Sequence, residues 1–122
     1  MKCGIYGDDY NEQKRFVDKL CEFKDVNDCH VYLVAHPRKG EDEYAPPGKM
    51  DISGTADITN LADYCFTVWR NTIKEDKVQS GDAEAKDQPD ATIKYTKQRG
   101  GDGWIGSIPL WFDKDSCQFL GH

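Results

Sequence analysis

The chain has 122 residues, 38% hydrophobic and 31% charged, which suits one globular domain and excludes a wholly disordered polymer. Against 16 Lys plus Arg stand 22 Asp plus Glu, a net charge of −6, so a bulk positive field for nucleic acid is excluded. Any contact with a phosphate backbone must therefore be local. No run of ~18 apolar residues and no charged-then-apolar leader occurs, so neither a membrane span nor a signal peptide is expected, and the expected location is cytoplasmic.

The first expected element is a helix after Asp9, whose pairing with Glu12 is an Asp version of a capping box. Phe16, Val17, Leu20, Cys21 and Phe23 fall at helical spacings, while Lys14, Arg15, Asp18, Lys19 and Glu22 fill the other face. The helix is expected to end near Lys24, before an Asp25–Asp28 turn.

Residues 30–35 are then apolar without alternation, the pattern of a strand buried on both faces of a mainly parallel sheet. Residues 37–57 hold Pro46, Pro47 and three glycines without periodicity, a long loop. One helical turn is expected over 57–63, and Tyr64–Arg70 reads as a strand rich in β-formers. Residues 74–90 are charged and poor in apolar side chains, and read as a flexible excursion. Residues 91–98, 104–112 and 117–120 alternate and are separated by Gly- and Asp-rich turns, so the chain is expected to close as a β-meander. Cys3, Cys21, Cys29, Cys65 and Cys117 are odd in number and lack a Cys-x-x-Cys pair, so reduced thiols are expected rather than disulfides or a zinc site.

Two strand ends carry chemistry. His36 follows the run Val31–Ala35 and opens His36-Pro37-Arg38-Lys39, while Lys97-Gln98-Arg99 closes the strand that starts at Ala91. In open α/β sheets, ligands bind outside the carboxyl ends of strands. His36 at such an end can hydrogen-bond a terminal phosphate, or it can simply cap its strand. In the loop, Arg38, Lys39 and Lys49 are offset by Glu41, Asp42 and Glu43. Gly40, Gly48 and Gly54 can present backbone amides to single-stranded DNA, or the whole loop can be solvated surface. Lys97 and Arg99 lie two apart and would share one face of a continuing strand. Such a pair serves either as a phosphate-directed finger or as edge cations that deter strand pairing.

The order of these pieces resembles the C-terminal part of DnaB-type RecA-like replicative helicases, nearest the T7-type phage primase-helicases and the mitochondrial helicase Twinkle. The segments that carry the resemblance are His36-Pro37-Arg38-Lys39, residues 51–58, Ala62-Asp63, Phe66–Asn71, Lys97-Gln98-Arg99 and the run from Gly106 to Lys114. The match as a whole extends over roughly residues 12–120. The resemblance implies a partial RecA-like core with residues 31–35 as an interior parallel strand, 64–70 parallel to it, and 91–120 as an antiparallel extension. It implies that His36 senses the γ-phosphate, and that Arg99 is an arginine finger acting in trans with Lys97 as its companion. Arg38, Lys39, Gly40, Gly48, Lys49 and Gly54 would line the loop that grips single-stranded DNA in a ring hexamer. ATP or another NTP with Mg²⁺ would be the cofactor of the complete protein.

Two departures stand out. Ser53 occupies a segment where the family commonly has Arg, and no Gly-x-x-x-x-Gly-Lys-Ser/Thr phosphate loop exists in the chain. Met1 is thus expected to be an internal position of a longer helicase, and the chain alone is expected to be inactive. The alternative is a non-catalytic RecA-like module that binds single-stranded DNA or docks on helicase subunits. A third, weaker reading pairs His36 with Asp51 or Asp57 for acid–base chemistry, without a convincing nucleophile.

Overall fold

The computed structural model describes residues 9–36 and 57–121. Helix α1 spans Tyr10–Asn27, and Asp9 caps it by accepting from the Glu12 backbone N–H at 3.1 Å. It runs a turn further than Lys24 because Asn27 donates its side-chain amide to the Phe23 carbonyl at 2.8 Å. Asp28 then stops it in the left-handed region, with φ 46° and ψ 56°. Helix α2, Asp57–Leu61, packs on α1, with Val17 and Ile58 buried.

The remaining elements alternate along one sheet. Strand β1, Tyr64–Arg70, leads into helix α3, Thr72–Gln79, and a 3₁₀ turn at Glu84–Asp87. Strands β2 (Ala91–Gln98), β3 (Gly106–Asp113) and β4 (Gln118–Leu120) follow. The order is β1-β2-β3-β4 and every pairing is antiparallel, so the fold is α/β with a four-stranded antiparallel sheet. The expected meander is present. The turn into β3 passes through Gly101 and Gly103 at φ 67° and 66°, a backbone that L side chains rarely adopt.

The expected parallel part takes another form. Residues 31–35 are no strand, and Tyr32 and Val34 are 80% and 79% exposed. A strand needs a ladder, and nothing among the described residues pairs with this run. Among the described residues, the ladder partner of β1 is the antiparallel β2.

Residues 74–90 also differ from the expected flexible excursion, because side-chain chemistry orders what periodicity could not. Asn71 caps α3 by accepting from the Lys74 N–H at 3.1 Å, and Arg70 holds Glu75 through two hydrogen bonds at 2.6 and 2.8 Å. Ala85 is fully buried, and the Trp111 indole donates to the Asp87 carbonyl at 3.1 Å. Asp90 ties the ends together. Its carbonyl accepts from the Asn71 N–H and its own N–H donates to Leu110, each at 2.9 Å. Its carboxylate meets the Lys74 ammonium at 2.7 Å and accepts from the Phe112 N–H at 2.8 Å.

Burial raises the Asp90 carboxyl. The Lys74 hydrogen bond, the Phe112 N–H and the charges of Lys74 and Lys114 outweigh that and leave it below its ordinary 3.8. A depressed folded value stabilises the fold at pH above the unfolded value, and that contribution disappears as pH falls through the folded one. Asp90→Asn leaves Lys74, only 8% exposed, without its counter-charge. The variant should lose about 2–3 kcal/mol in urea unfolding at neutral pH. Its stability should also decline less than the parent's below pH 3.8, and equal acid slopes would rule out this role.

Candidate phosphate-facing site

Strand β2 carries a bulge that decides where its cations go. Cys65 pairs with Lys97 but Phe66 pairs with Tyr95, so Thr96 is the extra residue. Directly paired residues share a face, and adjacent residues on β1 take opposite faces. Tyr95 therefore stays with Phe66, at a ring distance of 5.4 Å, while Lys97 moves to the Cys65 side. The Thr96 hydroxyl holds the bulge with a 3.4 Å bond to the Cys65 carbonyl.

On that side lies the carbonyl end of α2. The Lys97 ammonium donates to the Thr59 and Asn60 carbonyls at 2.9 and 2.8 Å. The Cys65 thiol donates to Thr59 at 3.8 Å, and the Cys21 thiol to Leu61 at 3.9 Å. Carbonyls at a helix C-terminus carry partial negative charge and lack partners within the helix, so a lysine there is favourable.

Arg99 sits next to this cap. Its backbone N–H donates to the Asp63 carbonyl at 2.8 Å, one terminal nitrogen donates to the Asp63 carboxylate at 2.8 Å, and the other to the Asn60 carbonyl at 3.1 Å. Lys97 and Arg99 thus converge on the same carbonyl. The other Asp63 oxygen lies 3.4 Å from the Lys24 ammonium. The Asp25 hydrogen bond, with Asp63 behind it, holds Lys24 above its ordinary value against desolvation. The Arg99 side chain is 54% exposed and that of Asp63 32%, which makes this a half-open ion pair. Gln98, between Lys97 and Arg99 in sequence, has its Oε1 buried with no hydrogen-bond partner among the described residues.

The acid on Arg99 is Asp63, from the α2–β1 connection. Asp102, much nearer to Arg99 in sequence, lies exposed in the glycine turn. Sequence reading missed Asp63, Lys24 and the α2 carbonyls because only tertiary packing joins them. The bulge is what makes them neighbours of β2. His36 is exposed at the end of its described segment. Arg38, Lys39, Gly40, Gly48, Lys49, Gly54 and Asp51 lie outside the described residues, and Asp57 opens α2. Among the described residues no group of His, Cys, Asp and Glu could hold a metal, and no helix is long and apolar enough to cross a membrane. No protein-family model matches the chain.

The two cations should separate in a stability experiment. Lys97→Met removes two bonds to helix-end carbonyls and should cost about 1–2 kcal/mol. Arg99→Gln breaks a half-exposed pair and should cost less than about 1 kcal/mol. Denaturant unfolding of both variants checks the order, and a larger loss for Arg99→Gln would contradict it.

Proposed function

We propose that this chain is the sensor, DNA-loop and arginine-finger portion of a hexameric, ATP-dependent replicative DNA helicase of RecA-like fold. In this reading it works only with a phosphate-loop portion that it does not itself contain. The observation that carries the reading is the presentation of Arg99. A guanidinium on a main chain anchored at Asp63, itself held by the Asn60 carbonyl and the Asp63 carboxylate on a side chain 54% exposed, has donors to spare for a phosphoryl group. Preorganised positive charge of this kind stabilises a phosphoryl-transfer transition state, on a scale of ~10³–10⁵ in rate.

The unpaired apolar surfaces support the same reading. In complete RecA-like domains the phosphate-loop strand lies between the strand that ends in the sensor and the strand equivalent to β1. An exposed apolar run at 31–35 that joins no ladder among the described residues is what remains when that strand is supplied from elsewhere. His36 would then reach the γ-phosphate of the subunit's own NTP·Mg²⁺, and Arg99 with Lys97 the neighbour's. Residues Arg38 to Gly54 would contact single-stranded DNA.

A second reading keeps the docking and drops the catalysis. The aromatic face of the sheet favours it: Phe66, Val68, Ile108, Phe112 and Phe119 are all exposed large apolar residues. A truncated module would lay this face on intact helicase subunits.

The chain alone should hydrolyse no ATP, since positioning and neutralising the phosphates supply most of the catalysis. In a ring that includes a phosphate-loop partner, Arg99→Ala should cut DNA-stimulated hydrolysis by ~10²-fold or more and leave nucleotide binding to isolated subunits nearly intact. ATP turnover by the pure chain, abolished by His36→Ala, would overturn the claim that it depends on a separate phosphate-loop portion. An unaltered ring rate with Arg99→Ala would favour the docking module.

A further inference from the structure

Among the described residues Asp63 is the acid that touches Arg99, and two cations share it. One carboxylate oxygen takes the Arg99 guanidinium at 2.8 Å, and the other faces the Lys24 ammonium at 3.4 Å. Its backbone carbonyl fixes the Arg99 N–H, so the main chain stays in place whatever the side chain does. Arg99 keeps a second anchor, the Asn60 carbonyl, which Lys97 also holds. The guanidinium therefore has an exchangeable partner and a fixed one.

We propose that Asp63 is a positioning residue that latches Arg99. Its carboxylate occupies the place on the guanidinium that a phosphoryl oxygen of a triphosphate takes, and Lys24 keeps the carboxylate charge paired once the phosphoryl group arrives. This rests on the reading of Arg99 as a phosphate-directed residue and adds to it a gate. The energetics suit an exchange. Half-exposed ion pairs contribute little because solvent screens them and side-chain entropy opposes them, whereas a polyanion offers more charge to the same donors. Latching also fixes a direction: a carboxylate beside the guanidinium repels an incoming anion until it moves toward Lys24.

The test titrates the 122-residue chain with inorganic tripolyphosphate and follows the Arg99 Nε–Hε and backbone amide signals by NMR. Asp63→Asn should bind about three- to fivefold more tightly than the parent chain, the scale of an exposed pair. Lys24→Met, which leaves Asp63 with Arg99 as its only cation, should bind about threefold more weakly. It also provides the decision if Asp63→Asn loses its dispersed sheet spectrum. Unchanged, weaker or absent binding by a folded Asp63→Asn, or undiminished binding by Lys24→Met in its place, overturns the latch. Arg99→Gln separates the two claims. If it abolishes binding while Asp63→Asn has no effect, the phosphate-directed reading survives without the latch. If it binds as tightly as the parent, the phosphate-directed reading fails, and the latch fails with it.

Discussion

Three backbone carbonyls at the end of a five-residue helix organise the junction between the helices and the sheet. Those of Thr59, Asn60 and Leu61 gather Lys97, Arg99, Cys65 and Cys21, and so bring β2, β1 and α1 to one point. A helix so short has little stability of its own, since nucleation is costly and few internal bonds repay it. Tertiary donors at its carbonyl end, together with its packing on α1, supply what is missing. The bulge at Thr96 is the condition for this arrangement. With regular pairing, Lys97 would share the aromatic face of Tyr95, and α2 would have no cation on its carbonyls.

The opposite end of the sheet is held by different chemistry. Asp90 joins the start of α3 to β3 through its backbone and both carboxylate oxygens, while the sheet's aromatic face remains exposed. Phe66, Tyr95 and Trp104 form a tilted row at 5.4 and 5.7 Å, and Phe112 meets Phe119 at 5.1 Å. A surface of this kind, together with exposed Tyr32 and Val34, is unusual for a domain that works alone.

Elements whose pattern is local were legible in the sequence. The Asp9 cap, the turn at 57–61, the strand Tyr64–Arg70 and the closing meander follow from capping chemistry, β-formers and glycine turns. Residues 30–35 have the composition of a buried strand, but composition does not supply the neighbour that makes one. Residues 74–90 misled for the opposite reason, because their order comes from Asn71, Asp90 and Trp111 rather than from apolar periodicity. At the site, the Lys97–Arg99 pair was visible and its surroundings were not. Nothing in a one-dimensional pattern marks Thr96 as a bulge, or Asp63 as the acid that meets a guanidinium 36 positions away.

The central claim is that Arg99 is set up from behind to receive a phosphoryl group from outside its own chain. Its most direct test is a structure of the proposed ring, this chain together with a phosphate-loop portion, trapped with ADP and aluminium fluoride on single-stranded DNA. The account predicts the Arg99 guanidinium on the fluoride of the neighbouring subunit's nucleotide, with its Asn60 bond kept. An Arg99 still on Asp63, with every nucleotide out of reach, would contradict it.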